Sequence, residues 1–115
     1  MEESRLFAKR TLTAREAGAP VTIEVRLYQP QIAENGIDWF CEYEIAWTSI
    51  LRRNSVGGVD SIQALFLALQ GIGAELYAGR PSVLSRLTWL EADQGFGFPL
   101  PLSLRDLAVG EDKRL

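Results

Sequence analysis

Histidine is absent from this 115-residue chain, and cysteine occurs once. Each scarcity removes a body of chemistry. Histidine is the one side chain that titrates unperturbed between about pH 5 and 8, and it is the commonest metal ligand. Without it, Ser-His-Asp and Cys-His catalysis have no base, and no histidine-bound zinc or iron site can be built. Cys41 alone permits no internal disulfide, CxxC redox pair or all-cysteine metal centre. A lone thiol can be a nucleophile where cations depress its pKa. Cys41 instead sits between Phe40 and Glu42 in a strand-like run, and an adjacent carboxylate works in the opposite direction. It reads as a small buried hydrophobe.

Long apolar runs are missing too. A membrane-spanning helix needs ~20 consecutive apolar residues, whereas the richest stretch, Ile62 to Ala78, is interrupted by Gln63, Gln70 and Glu75. Basic excess is lacking: 12 Lys and Arg against 15 Asp and Glu leave a net charge of −3, no footprint for a phosphate backbone. The start, Met1-Glu2-Glu3-Ser4-Arg5, leads into no apolar h-region, so no secretory signal is expected. These absences point to a cytoplasmic protein that needs no cofactor or metal and partners neither nucleic acid nor membrane.

What is present is ordinary globular material, 47% hydrophobic and 23% charged, at the length of one domain. Arg5 to Leu12 reads as a first strand, and Arg15 to Pro20 supplies turn chemistry. Val21, Ile23, Val25 and Leu27 then alternate strictly with Thr22, Glu24, Arg26 and Tyr28, the period of a half-buried strand. Pro30 ends it, and Asn35-Gly36 marks a turn. A third strand is expected from Ile37 to Leu51, with Trp39, Cys41, Tyr43, Ile45 and Trp47 on one face and a bend near Ser49. Arg52 to Gly58 breaks the pattern.

A helix is expected over residues 60–78. Asp60 is a good N-cap, Gln63 completes a capping-box-like pair, and Gly79 followed by Pro81 ends it. Ile62, Leu65, Phe66, Leu69, Ile72, Leu76 and Tyr77 recur at helical spacing and are expected to face the sheet. Ser85 to Ala92 suggests a fourth strand; Phe96 to Leu102 is an apolar arm punctuated by Pro99 and Pro101; residues 111–115 are expected to fray. The fold class is therefore α+β, one domain over residues 1–115: an antiparallel sheet of three to five strands, begun by an N-terminal meander, with the long helix packed on one face.

The back of that helix is unusually poor in charge. Ala64, Leu67, Ala68, Gly71, Ala74 and Ala78 lie off the main stripe, with Glu75 the sole ionised residue. Two coverings suggest themselves: the chain's own C-terminal segment, laying Leu100, Leu102, Leu104 and Leu107 across it, or a partner. A candidate interface therefore comprises Ala64, Leu67, Gly71, Ala74, Ala78, Phe96, Phe98 and Leu100, for another protein or a homodimer. No catalytic residue is singled out, so the enzyme reading leans to no. Gly57-Gly58 before the helix lacks the spacing and lysine of a phosphate loop, and Asp60 would repel an anion there. Glu24, Glu42 and Glu44 should share the outer sheet face with Arg26 and Lys9 as cross-strand pairs; a carboxylate-based hydrolase would need two of them converging in a cleft. A small-ligand cavity lined by Trp39, Trp47 and Trp89 is a further possibility.

The order Trp39-x-Cys41-x-Tyr43-x-Ile45, then Gly58-x-Asp60-Ser61-x-Gln63-Ala64-Leu65-x-Leu67-Ala68-Leu69, resembles a family of small uncharacterised bacterial proteins, a domain of unknown function, over about residues 20–80. The resemblance implies a few N-terminal strands followed by this helix and carries over no catalytic residue. By size and acidity the chain is also similar to immunity proteins that neutralise toxins, a likeness of architecture alone. A non-enzymatic binding or interaction module, possible homodimers included, is the functional expectation.

Overall fold

The computed structural model describes residues 5–79, 87–91 and 93–115. A long hairpin pairs β1 (Leu6–Glu16) with β2 (Ala19–Tyr28); a two-residue β3 (Gln31–Ile32) follows. A second hairpin joins β4 (Trp39–Ala46) and β5 (Leu51–Gly58), and then comes α1 (Ser61–Gly79). Two 3₁₀ turns, Leu102–Leu107 and Gly110–Arg114, complete the elements. The fold is α+β, with an antiparallel five-stranded sheet. None of the helices among the described residues is long and apolar enough to cross a membrane.

The first hairpin closes on Ala17 and Gly18, both at positive φ (51° and 82°), since Glu16 pairs with Ala19. That geometry matches the twist of the strands it joins. β3 pairs Gln31 with Phe40 and Ile32 with Trp39, on the side of β4 that β2 occupies further along, where Leu27 faces Tyr43. It therefore continues the line of β2 beyond Pro30, which has no N–H to give a ladder.

Where the periodicity implies one strand to Leu51, the chain turns at residues 47–50 and returns as β5, Ala46 facing Leu51. The returning strand, Arg52 and Arg53 to Gly58, escapes an alternation test because among the described residues it pairs only with β4 and is mostly exposed. Polar and charged residues there are what an unprotected sheet edge favours. Gly58 is required: a Cβ would sit 2.5 Å from the Ala64 amide nitrogen.

One sheet face is the core. Leu12, Ala14, Ile23, Val25, Leu27, Cys41, Tyr43 and Ile45 are buried there, beneath α1 on the β4–β5 side and the C-terminal arm on the β1 side. The helix sits rotated from the orientation its apolar stripe implies. Ala64, Ala68, Ile72 and Leu76 are fully buried, whereas Ile62 is 76% and Phe66 50% exposed. Where Tyr43 rises from the sheet the helix answers with a small residue: a Cβ on Gly71 would approach the Tyr43 hydroxyl to 3.1 Å. Apolar side chains surround most of this helix, so their spacing could not say which side faces the sheet.

Of the expected strand Ser85–Ala92, Ser85, Arg86 and Ala92 lie outside the described residues, as does Pro81 at the helix end. The described part bridges Thr88 to Thr13 of β1. Phe96, Phe98 and Leu100 are buried, but Leu102 and Leu107 are exposed, so the arm packs beside the helix instead of across its back. The charged residues expected to fray form the second 3₁₀ turn, with Asp112 buried.

Candidate functional site

The outer sheet face gathers the charges that strand alternation puts there. Glu44, only 3% exposed, accepts from Tyr28 Oη and Arg26 Nη1 at 2.8 Å and from Arg53 Nε at 2.7 Å. Burial alone would raise its pKa, but these donors outweigh burial and hold it below the usual carboxylate value. Glu24 is likewise held low, chiefly by its hydrogen bond from Arg26, with Lys9 3.6 Å away. Arg5 pairs with Glu42 at 2.6 Å. A depression of about 290 Å³ lined by Leu6, Lys9, Glu24, Arg26 and Tyr28 opens on this face. Glu24 in this depression and Glu44 beside it are both held low by their cationic donors, so neither offers the protonated acid that glycoside or ester hydrolysis needs.

On the opposite face the arm is clamped from two sides. Asp112 Oδ2 accepts from Tyr77 Oη at 2.7 Å and Phe96 N at 2.8 Å, while Oδ1 accepts from Gly97 N at 2.8 Å. Arg10 Nη1 donates to the carbonyls of the same two residues, Phe96 at 3.1 Å and Gly97 at 3.0 Å. Tyr77 adds an edge-on contact with Phe96, centroids 5.1 Å apart. Neither Arg10 nor Asp112 stood out in the sequence. Both lie in segments read as strand or tail, and the glycines flanking Phe96 were the sole trace of a backbone held at close quarters.

The helix start is sealed by its own residues. Asp60 Oδ1 accepts from Gln63 N at 2.8 Å, and Gln63 Oε1 accepts from Val59 N at 2.7 Å. An anion would find this terminus occupied. Cys41 is buried and donates toward the Tyr28 carbonyl at 3.3 Å; desolvation, then Glu42, pushes its pKa up to about 11. It is a structural thiol. Tyr43 is also pushed up, by burial and then by its hydrogen bond to Glu75. Among the described residues, no three His, Cys, Asp or Glu side chains gather into a group that could hold a metal ion.

The candidate interface residues divide. Ala64, Phe96, Phe98 and Leu100 are buried within the chain and cannot meet a partner; Leu67, Gly71 and Ala74 are half-buried, and Ala78 is exposed. The buried four are taken up by the core: Ala64 on the helix, and Phe96, Phe98 and Leu100 in the arm. Trp47 borders an opening of about 280 Å³ with Arg52, Glu75, Ala78 and Gly79, whereas Trp89 stacks on Arg10. Exposed apolar surface lies at the start of the helix, where Ile62 and Phe66 stand one turn apart, preceded by Val59 at 74% exposure.

An antiparallel sheet with one helix and an extended arm on the same face defines a small α+β domain. Within that class, the chain belongs to the family described as Domain of unknown function (DUF6968), whose model matches residues 8–100. That span takes in the sheet, the helix and the arm as far as Leu100, and stops short of Asp112. No curated protein and no solved structure matches the chain.

Proposed function

We propose that this chain is a non-enzymatic interaction module that meets a protein partner, a second copy of itself included, through the shoulder formed by Ile62 and Phe66. One observation carries the reading: these two large side chains are 76% and 50% exposed on one side of a helix whose other large apolar residues are buried or half-buried. Covering one such side chain is worth about 1.5–3 kcal/mol, and aromatic side chains are enriched at interface centres. The expected site is the cytoplasm, which suits a protein whose single cysteine is a free thiol. The same shoulder would serve an immunity-type role toward a toxin.

The experiment compares the wild-type chain with Ile62→Glu and Phe66→Glu. Both substitutions should leave the melting temperature nearly unchanged, because neither side chain is in the core. Light scattering across a concentration series should show a dimer that both variants lose, or else affinity capture should retain a partner that both variants release. Monomers throughout, with identical captured proteins for all three chains, would refute the reading.

A further inference from the structure

Arg10 occupies a place that strand alternation reserves for apolar residues: the inner face of β1, opposite Val25. Its guanidinium carbon lies 3.8 Å from the centroid of Trp89 and 4.7 Å from that of Phe98. Only Nη1 is spent, on the Phe96 and Gly97 carbonyls. Nε and Nη2 make no hydrogen bond to the described residues, and neither is sealed from solvent. Those two nitrogens form the edge that grips a carboxylate with two parallel bonds. Among the described residues no carboxylate comes within ion-pair distance of Arg10. Asp112 acts on it from further away, its oxygens already taken by Tyr77, Phe96 and Gly97.

Arg10 also forms part of the wall of a cavity of about 120 Å³ between the sheet, the helix and the arm, with Ala8, Val25, Leu27, Leu69 and Phe98. Lys9 also borders the cavity, but its ammonium pairs with Glu24. The described lining contains no acid. A space of roughly 150 Å³ lined by apolar side chains accepts benzene, so this one suits a single ring or a short acyl chain. Apolar walls disfavour a small, strongly hydrated anion such as phosphate, and an unpaired cation at the wall disfavours a neutral hydrocarbon.

We propose that this cavity binds a small carboxylate with a compact apolar body, which lies on Val25, Leu27 and Leu69 while the carboxylate takes the Nε/Nη2 edge of Arg10. This site is separate from the exposed shoulder and stands or falls on different side chains.

Benzoate is the probe, and benzamide its neutral counterpart. In an NMR titration of the full chain, benzoate should shift the methyl signals of Val25, Leu27 and Leu69 saturably, and benzamide should bind at least tenfold more weakly. Leu69→Trp, which fills the cavity and leaves Arg10 in place, should abolish the benzoate shifts. Arg10→Met keeps the stacked volume and removes the charge, and should bring benzoate down to the level of benzamide. Equal binding of benzoate and benzamide, no saturable shift with either, or undiminished benzoate binding by Leu69→Trp would each overturn the proposal. Should Arg10→Met loosen the arm and fail to fold, the benzamide and Leu69→Trp comparisons still decide.

Discussion

Replacing Asp112 with alanine tests whether the C-terminal turn is structural. The carboxylate is 2% exposed and accepts three hydrogen bonds, at 2.7, 2.8 and 2.8 Å. Alanine orphans the buried Phe96 N–H, at ~1–3 kcal/mol, and removes the hydrogen bond from the Tyr77 hydroxyl to a charged group, worth roughly 1.5–3 kcal/mol. Gly97 N–H is only partly buried, and water can replace its acceptor at little cost. The sum is about 2.5–6 kcal/mol, a large part of the ~5–15 kcal/mol available to a domain. At roughly 4 °C per kcal/mol for this size, the melting temperature should fall by on the order of 15 °C. Asparagine should rescue most of it, because with its amide oxygen toward Tyr77 and Phe96 only the Gly97 N–H would face an N–H donor. Urea unfolding followed by tryptophan fluorescence measures the loss, and Trp89, stacked on Arg10, reports the arm. A change under about 0.5 kcal/mol, the size of an ordinary surface substitution, would refute the structural role.

Two further perturbations have signs fixed by the geometry. Glu44 has a folded-state pKa below the usual ~4.3 of a free glutamate. Its contribution is therefore fully present above that value and is lost as the pH falls through the lower folded value. Glu44→Gln should destabilise the chain at neutral pH by about 2–4 kcal/mol, since Arg26 and Arg53 lose their shared anion. It should also flatten the acid limb of stability against pH; an unchanged acid limb would contradict the assignment. Gly73→Ala would ordinarily strengthen a helix by ~1 kcal/mol. Here a Cβ would overlap the Pro99 carbonyl oxygen, so the substitution should destabilise and displace the arm. A gain in melting temperature would show that the arm does not lie on the helix there.

The parts of the fold that were legible are those in which one side chain's neighbours lie close in sequence. β2 declared itself because Ile23, Val25 and Leu27 bury one face while Glu24 and Arg26 stay on the other. Asp60 and Gln63 predicted the helix start because a cap and its partner are three residues apart. β5 was hidden because Arg52 and Arg53 answer to an open edge and to Glu75 and Glu44, which are supplied by other elements. The same holds for the candidate site. Arg10 looks like one more strand cation until the chain 86 residues later brings Phe96 against it. Ile62 and Phe66 look like core until the fully buried residues of the helix are seen to be Ala64, Ala68, Ile72 and Leu76. Once that side of the helix is the buried one, the helical repeat puts Ile62 and Phe66 elsewhere, where the described chain leaves them uncovered. Their exposure is thus a consequence of which side of the helix is buried, and substitutions that pushed the helix outward, such as Ala68→Leu, should alter the shoulder along with the core.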